Sequence, residues 1–133
     1  MRGKHDYGLF TIYAIKCRAT KRIYIGSTLN VQARIDTHFS ELRRGKKLDP
    51  PNLPSEWQKD YDQYGEESFD VYLVDSRECS REAAVMLEQE YIRKYKATNP
   101  KYGYNKIKSK AVKDDMYRFR DGVPEVEYEY YRD

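Results

Sequence analysis

The sequence predicts a small α/β domain of the α+β kind, with one mainly antiparallel three-stranded sheet flanked by helices. Three observations predict it. Two alternating apolar runs rich in β-formers, "YGLFTIYAIK" (Tyr7 to Lys16) and "KRIYIGST" (Lys21 to Thr28), are joined by the short polar "CRATK" and read as a β-hairpin. A third run of the same kind, "SFDVYLVDS" (Ser68 to Ser76), comes further along. Between and after these runs, apolar residues fall at helical spacing between capping residues and stops. A chain of 133 residues has room for one domain with one modest core.

In order along the chain, Gly26 closes the second run, where a glycine permits a bend or a close backbone approach. Asn30 then caps a helix over "VQARIDTHFSELRRG", whose stripe is Val31, Ile35, Phe39 and Leu42 and whose stop is Gly45. The proline-rich "KLDPPNLPS" is a loop. Ser55 caps "EWQKDYDQYG", a helix presenting Trp57, Tyr61 and Tyr64 at core spacing and ending at Gly65. After the third strand, Ser80 opens the most helix-prone stretch, "REAAVMLEQEYIRKYKAT", and "NPKYGYN" returns to the core. Residues 1–110 are expected to form the domain. Residues 111–133, acidic and rich in tyrosine with little apolar periodicity, read as a loosely attached extension.

Composition bounds the function. With 35% charged residues and a mean hydropathy of -1.00, the surface is heavily polar. No run has the apolar length of a bilayer span or a signal peptide, so the chain is expected to be cytoplasmic and away from membranes. Cys17 and Cys79 stand alone without metal-ligand spacing, which points away from zinc and fits a reducing cytosol. Residues 1–47 carry eleven Lys or Arg against three Asp or Glu, a net of +8, while the rest carry fourteen against nineteen, a net of −5. Such a concentrated positive half suits a nucleic-acid partner.

Several side chains are candidates for chemistry. Tyr13 and Tyr24 sit on neighbouring strands in cationic company. Arg34 and His38, four apart, share a helix face adjoining the buried stripe, where Arg34 is suited to grip a phosphate bidentately and His38 to move a proton. Glu88 lies in "MLEQEYI" beside the apolar stripe; if it points inward it needs a cation, for which a divalent metal is the obvious choice. Asn105 after "YGY" is either a turn residue or a group that holds a carboxylate or a ligand.

Together these residues resemble the GIY-YIG nuclease family, and most of all the catalytic domains of phage-type homing endonucleases. "TIY" (Thr11 to Tyr13) and "YIG" (Tyr24 to Gly26) stand at the family's spacing. They are followed by Arg34 and His38 on a helix, Glu88 in "LEQEYI" and a closing "GYN" (Gly103 to Asn105). Each motif is short; their order and spacing together are specific. The likeness spans Leu9 to Asn105, with two departures. Thr11 replaces the family glycine, and Lys47 stands where the homing enzymes carry a second histidine.

The resemblance implies DNA phosphodiester hydrolysis with one divalent cation, Mg²⁺ or Mn²⁺, ligated by Glu88. It implies that Tyr13 deprotonates the water, its phenol lowered by the cations Arg34, His38 and Lys47, with Tyr24 positioning water or phosphate or sharing the base role. Arg34 holds the scissile phosphate, and Asn105 supports Glu88 or the substrate. Gly26, Lys47, Lys21 and Arg22 are further candidates for contact with the substrate. Target choice is expected from a homodimer or a partner protein, in a phage or mobile-element setting. The acidic tail is a candidate DNA mimic over the basic face. The rival reading is a catalytically silent module of the same fold that binds nucleic acid or protein.

Overall fold

The computed structural model describes residues 7–106 and the strand Glu129–Tyr130. The elements are β1 (Tyr7–Cys17), β2 (Ile23–Thr28), α1 (Val31–Arg43), β3 (Leu48–Asp49), β4 (Leu53–Pro54), α2 (Glu56–Tyr64), a 3-10 turn (Glu66–Ser68), β5 (Phe69–Ser80), α3 (Arg81–Tyr95) and β6 (Glu129–Tyr130). The sheet order is β2-β1-β5 with antiparallel pairing throughout, and the two-residue β6 is added beyond β5 opposite Tyr72 and Leu73. Apart from β6, the 111–133 extension and its suggested lie over the basic face fall outside the described residues.

Strand alternation divides the core into two layers. From β1, Ile12 and Ala14 pack with Ile23, Ile25 and the α3 residues Leu87, Ile92 and Tyr95. The opposite set, Tyr13, Ile15 and Cys17, packs with Ile35, Phe39 and Leu42 of α1 and Trp57 of α2. The ladder between β1 and β5 slips by one residue between Ile12 and Tyr13, so Val74 bulges beside the first tyrosine. Both cysteines are free and buried. Among the described residues no helix is long and apolar enough to cross a membrane.

The helix starts follow from their caps. Asn30 Oδ1 accepts from Ala33 N at 3.0 Å, and the hydroxyls of Ser55 and Ser80 accept from Gln58 N and Ala83 N at 3.1 Å each. Each cap is worth about 1 kcal/mol. Three expectations change. The proline-rich segment contains a small hairpin, β3 against β4, instead of plain loop. Tyr64 is 40% exposed, while α2 buries Gln58 and Asp60. These polar groups are tolerated inside because they are paired: Gln58 Nε2 donates to Leu42 O at 2.9 Å, and Asp60 accepts from Thr20, Arg22 and Tyr104. Finally, α3 stops at Tyr95, three residues before the expected end, where Lys96 takes a left-handed φ of 54° and turns the chain back.

The returning segment runs along the outer edge of β2. Ile23 N donates to Tyr102 O at 3.1 Å and Tyr104 N to Ile23 O at 2.9 Å. Gly103 lies so close to the α3 exit that a Cβ there would sit 2.2 Å from Ala97 O. The Asn105 amide then imitates one more strand residue: Ile25 N donates to its Oδ1 and its Nδ2 donates to Ile25 O, both at 2.8 Å. This edge pairing ends at Ile25, one residue before Gly26, and the candidate site begins there.

Candidate active site

Tyr13 and Gly26 are cross-strand partners, and the missing side chain of the glycine is what lets the tyrosine ring lie across β2. A Cβ on Gly26 would meet Tyr13 Cζ and Oη at 2.5 Å. The Tyr13 ring is wholly buried, and its hydroxyl lies 2.7 Å from His38 Nε2. On the other side of that imidazole, Lys47 Nζ lies 2.9 Å from Nδ1 and 2.7 Å from a Glu41 oxygen. An ammonium paired with Glu41 donates to Nδ1, which leaves the imidazole proton on Nε2, directed at Tyr13 Oη. The Arg34 guanidinium lies near enough to act on both phenols, pulling each downward.

From the other face of the sheet, α3 brings Glu88 to the β2 edge, where Ser27 Oγ donates to its Oε1 at 2.5 Å. Glu88 and Tyr24 share the wall of a cavity of about 270 Å³ with Lys46, Lys47, Trp57 and Asn105. Trp57 stacks on Tyr24 with centroids 4.7 Å apart and on Tyr104 at 5.3 Å, and Lys47 Nζ lies 4.5 Å from the indole centre.

The structure thus gathers Tyr13, Tyr24, Gly26, Arg34, His38, Lys47, Glu88 and Asn105 at one place. Some of their expected duties change. His38 is 1% exposed and belongs to the buried face of α1, not to the face beside it. Asn105 spends both ends of its amide on the Ile25 backbone instead of on Glu88. Arg22 is not brought to the cavity: it donates to Asp60 at 3.0 Å and to Pro100 O at 2.7 Å at the base of the hairpin. Lys21, exposed in the hairpin turn with φ 69°, lies off the cavity wall as well. Sequence reasoning missed Ser27, Glu41 and Lys46, and it read Trp57 as core alone. Ser27 is signalled only by its place directly after "YIG", and Trp57 by being the single tryptophan of the chain.

The electrostatics also differ from expectation. Burial, then Tyr24, pushes the Tyr13 phenol above its ordinary value, against the pull of Arg34. Burial, then Glu88, does the same to Tyr24. The neighbouring cations therefore do not produce a resting phenolate; desolvation wins. Burial pulls Lys47 down, with Glu41 opposing. Burial, then Lys47, then Arg34 lower His38 from 6.5 to about 3, so it is neutral near pH 7.

A depressed folded value means that the unfolded chain binds the extra proton first. His38 thus contributes stability that is whole above about pH 6.5 and is lost as pH falls toward about 3, at up to about 1.4 kcal/mol per pH unit. In urea titrations between about pH 6 and pH 4, wild type is expected to lose stability more steeply than His38→Gln. Equal slopes would refute the neutral, buried imidazole.

Among the described residues no three His, Cys, Asp or Glu side chains converge as a metal cage. Among the described residues, Glu88 is the one carboxylate on the wall of this cavity. A single hard oxygen donor beside open volume fits a divalent cation that keeps several waters and takes its other ligands from phosphate.

The GIY-YIG catalytic domain family matches residues 9–105. The chain belongs to that family: it is a GIY-YIG nuclease domain, an enzyme of the endonuclease type. Among solved structures, it is similar to the catalytic domain of the homing endonuclease I-TevI, with TM-score 0.60 and 19% identity over 77% of this chain and 99% of the other. A mutant of the catalytic domain of intron endonuclease I-TevI matches with the same score and identity over 78% and 96%. No curated protein matches the sequence.

Proposed function

We propose that this domain hydrolyses DNA phosphodiester bonds with one divalent cation, Mg²⁺ or Mn²⁺, held at Glu88. The observation that carries the reading is the shared cavity wall: Glu88 and Tyr24 face one space, with Lys46 and Lys47 beside them and Tyr13, Arg34 and His38 adjoining. The family match and the likeness to a homing endonuclease support DNA as the substrate. A cation at Glu88 supplies positive charge for the phosphorane-like transition state and offsets the push of the carboxylate on the two phenols.

The chain's own groups do the rest. Arg34 grips the scissile phosphate with its fork, which a lysine cannot match. Tyr24, which unlike Tyr13 lines the cavity, orients the attacking water. Tyr13 stands behind it, its oxygen held by His38 and under the charge of Arg34, and the phenolate form of this pair takes the proton from the water. Glu41, Lys47 and His38 keep the Tyr13 oxygen in place. Target choice is assigned to a second copy of the chain or to a partner protein, and the setting to a phage or mobile element.

The test is nicking of supercoiled plasmid in Mg²⁺, Mn²⁺ or chelator, with cation-dependent nicking expected. Because both phenols are raised, the rate is expected to climb about tenfold per pH unit between about pH 7 and pH 9, without a plateau. A flat profile would remove the tyrosines from the base role.

A further inference from the structure

Side chains along β2 alternate between the two layers of the core. Tyr24 packs toward α1 and α2, whereas Ile23 and Ile25 pack under α3. Ser27, two residues after Ile25, pairs across the ladder with Ile12, which also belongs to the α3 layer. Directly opposed residues share a face, so the serine side chain lies on the α3 side. On that helix Glu88 follows the buried Leu87, and the rim of the apolar stripe carries it onto the end of β2. There Ser27 Oγ donates to Glu88 Oε1 at 2.5 Å, the length of a charge-assisted O–H···O bond.

This bond acts on the one group to which a cation is assigned. A glutamate side chain has several rotatable bonds, and ordering them opposes binding. In a cage of several ligands the ligands hold one another, but among the described residues no such cage is present. Asn105, expected to support Glu88, spends both ends of its amide on the Ile25 backbone. Ser27 is half-buried and lies off the cavity wall, whereas Glu88 is part of that wall. The hydroxyl therefore reaches a cation only through the carboxylate.

We propose that Ser27 is a positioning residue whose hydroxyl presets the Glu88 carboxylate for a divalent cation, an inference that rests on the nuclease reading. Presetting raises cation affinity, because less freedom is lost when the cation arrives. It adds little to the rate once the site is filled, because the cation then holds the carboxylate itself. The signature is a change in cation requirement without a matching change in maximal rate.

The test compares full-length wild type, Ser27→Ala, Ser27→Thr and Glu88→Gln. Mn²⁺ binding to the protein without DNA is read from loss of the free-ion EPR signal, with Glu88→Gln as the baseline. The Mg²⁺ dependence of plasmid nicking is measured alongside. Ser27→Ala is expected to raise the Mn²⁺ dissociation constant and the half-saturating Mg²⁺ concentration about 10- to 100-fold. Its rate at saturating Mg²⁺ is expected to stay within about threefold of wild type. Melting temperature and DNA affinity in chelator should stay near wild type. Ser27→Thr, which keeps the hydroxyl on a strand-forming side chain, should stay within about threefold in both cation measures. Cation measures unchanged in Ser27→Ala, or a threonine that loses as much as the alanine, overturn the role of the hydroxyl and leave the nuclease reading standing. So does a wild type that nicks but binds no Mn²⁺ above the baseline, since its carboxylate is then not preset. A wild type that neither nicks nor binds Mn²⁺ above the baseline overturns both.

Discussion

Glu88→Gln is expected to lower plasmid nicking by at least about 10³-fold while the fold and DNA affinity persist. The substitution is nearly isosteric, and the amide oxygen of glutamine still accepts from Ser27 Oγ, so the packing at the β2 edge is kept. What disappears is, among the described residues, the one negative charge on a cavity wall that also carries Lys46, Lys47 and Lys106. DNA binding in chelator should therefore hold or tighten. A second readout follows from the same charge. Glu88 ranks directly behind burial among the groups that raise Tyr24, so the Tyr24 phenol should titrate lower in the variant. Retention of a tenth or more of the nicking rate would reject Glu88 as the cation site. Wild type that binds DNA in a salt-sensitive way yet never nicks in either cation would support the silent binding module instead.

Much of the frame was legible because its signals are local. Asn30, Ser55 and Ser80 each announce a helix by the hydroxyl or amide that caps it, and strand alternation sorts Ile12 from Tyr13 without any knowledge of the fold. That Tyr13, Tyr24, Arg34, His38, Glu88 and Asn105 would come together was legible through the order of short motifs. What escaped depends on contacts between distant segments. His38 reads as polar, yet a lysine and a phenol close over its two nitrogens and allow burial. Tyr64 reads as core, yet Gln58 and Asp60 go inside because Leu42, Thr20, Arg22 and Tyr104 satisfy them. Arg22 reads as a substrate cation until Asp60, from the distant α2, claims it. The direction of the tyrosine shifts was misjudged for a similar reason: the cations are visible in sequence, but the depth of burial that outweighs them is not.

Gly26→Ala is expected to reduce nicking by about 10²-fold or more and to lower the melting temperature by several degrees. The added methyl would lie 2.5 Å from Tyr13 Cζ and Oη and 2.9 Å from Cε1, inside contact distance for all three. An exposed side chain would swing aside, but this ring is wholly buried against Ile35, Phe39 and Trp57 in the α1 and α2 layer. Either the ring moves and stretches the 2.7 Å bond to His38, or β2 moves and carries Tyr24 and Ser27 with it. Overpacking of this kind costs about 1–3 kcal/mol. Both routes displace the groups on which the proposed chemistry depends, whereas the lysines that attract DNA stay where they are. Affinity in chelator should thus change little while the rate collapses. Nicking within threefold of wild type would mean that the close approach of Tyr13 to Gly26 serves packing alone, and that the glycine of "YIG" has no part in placing the phenol.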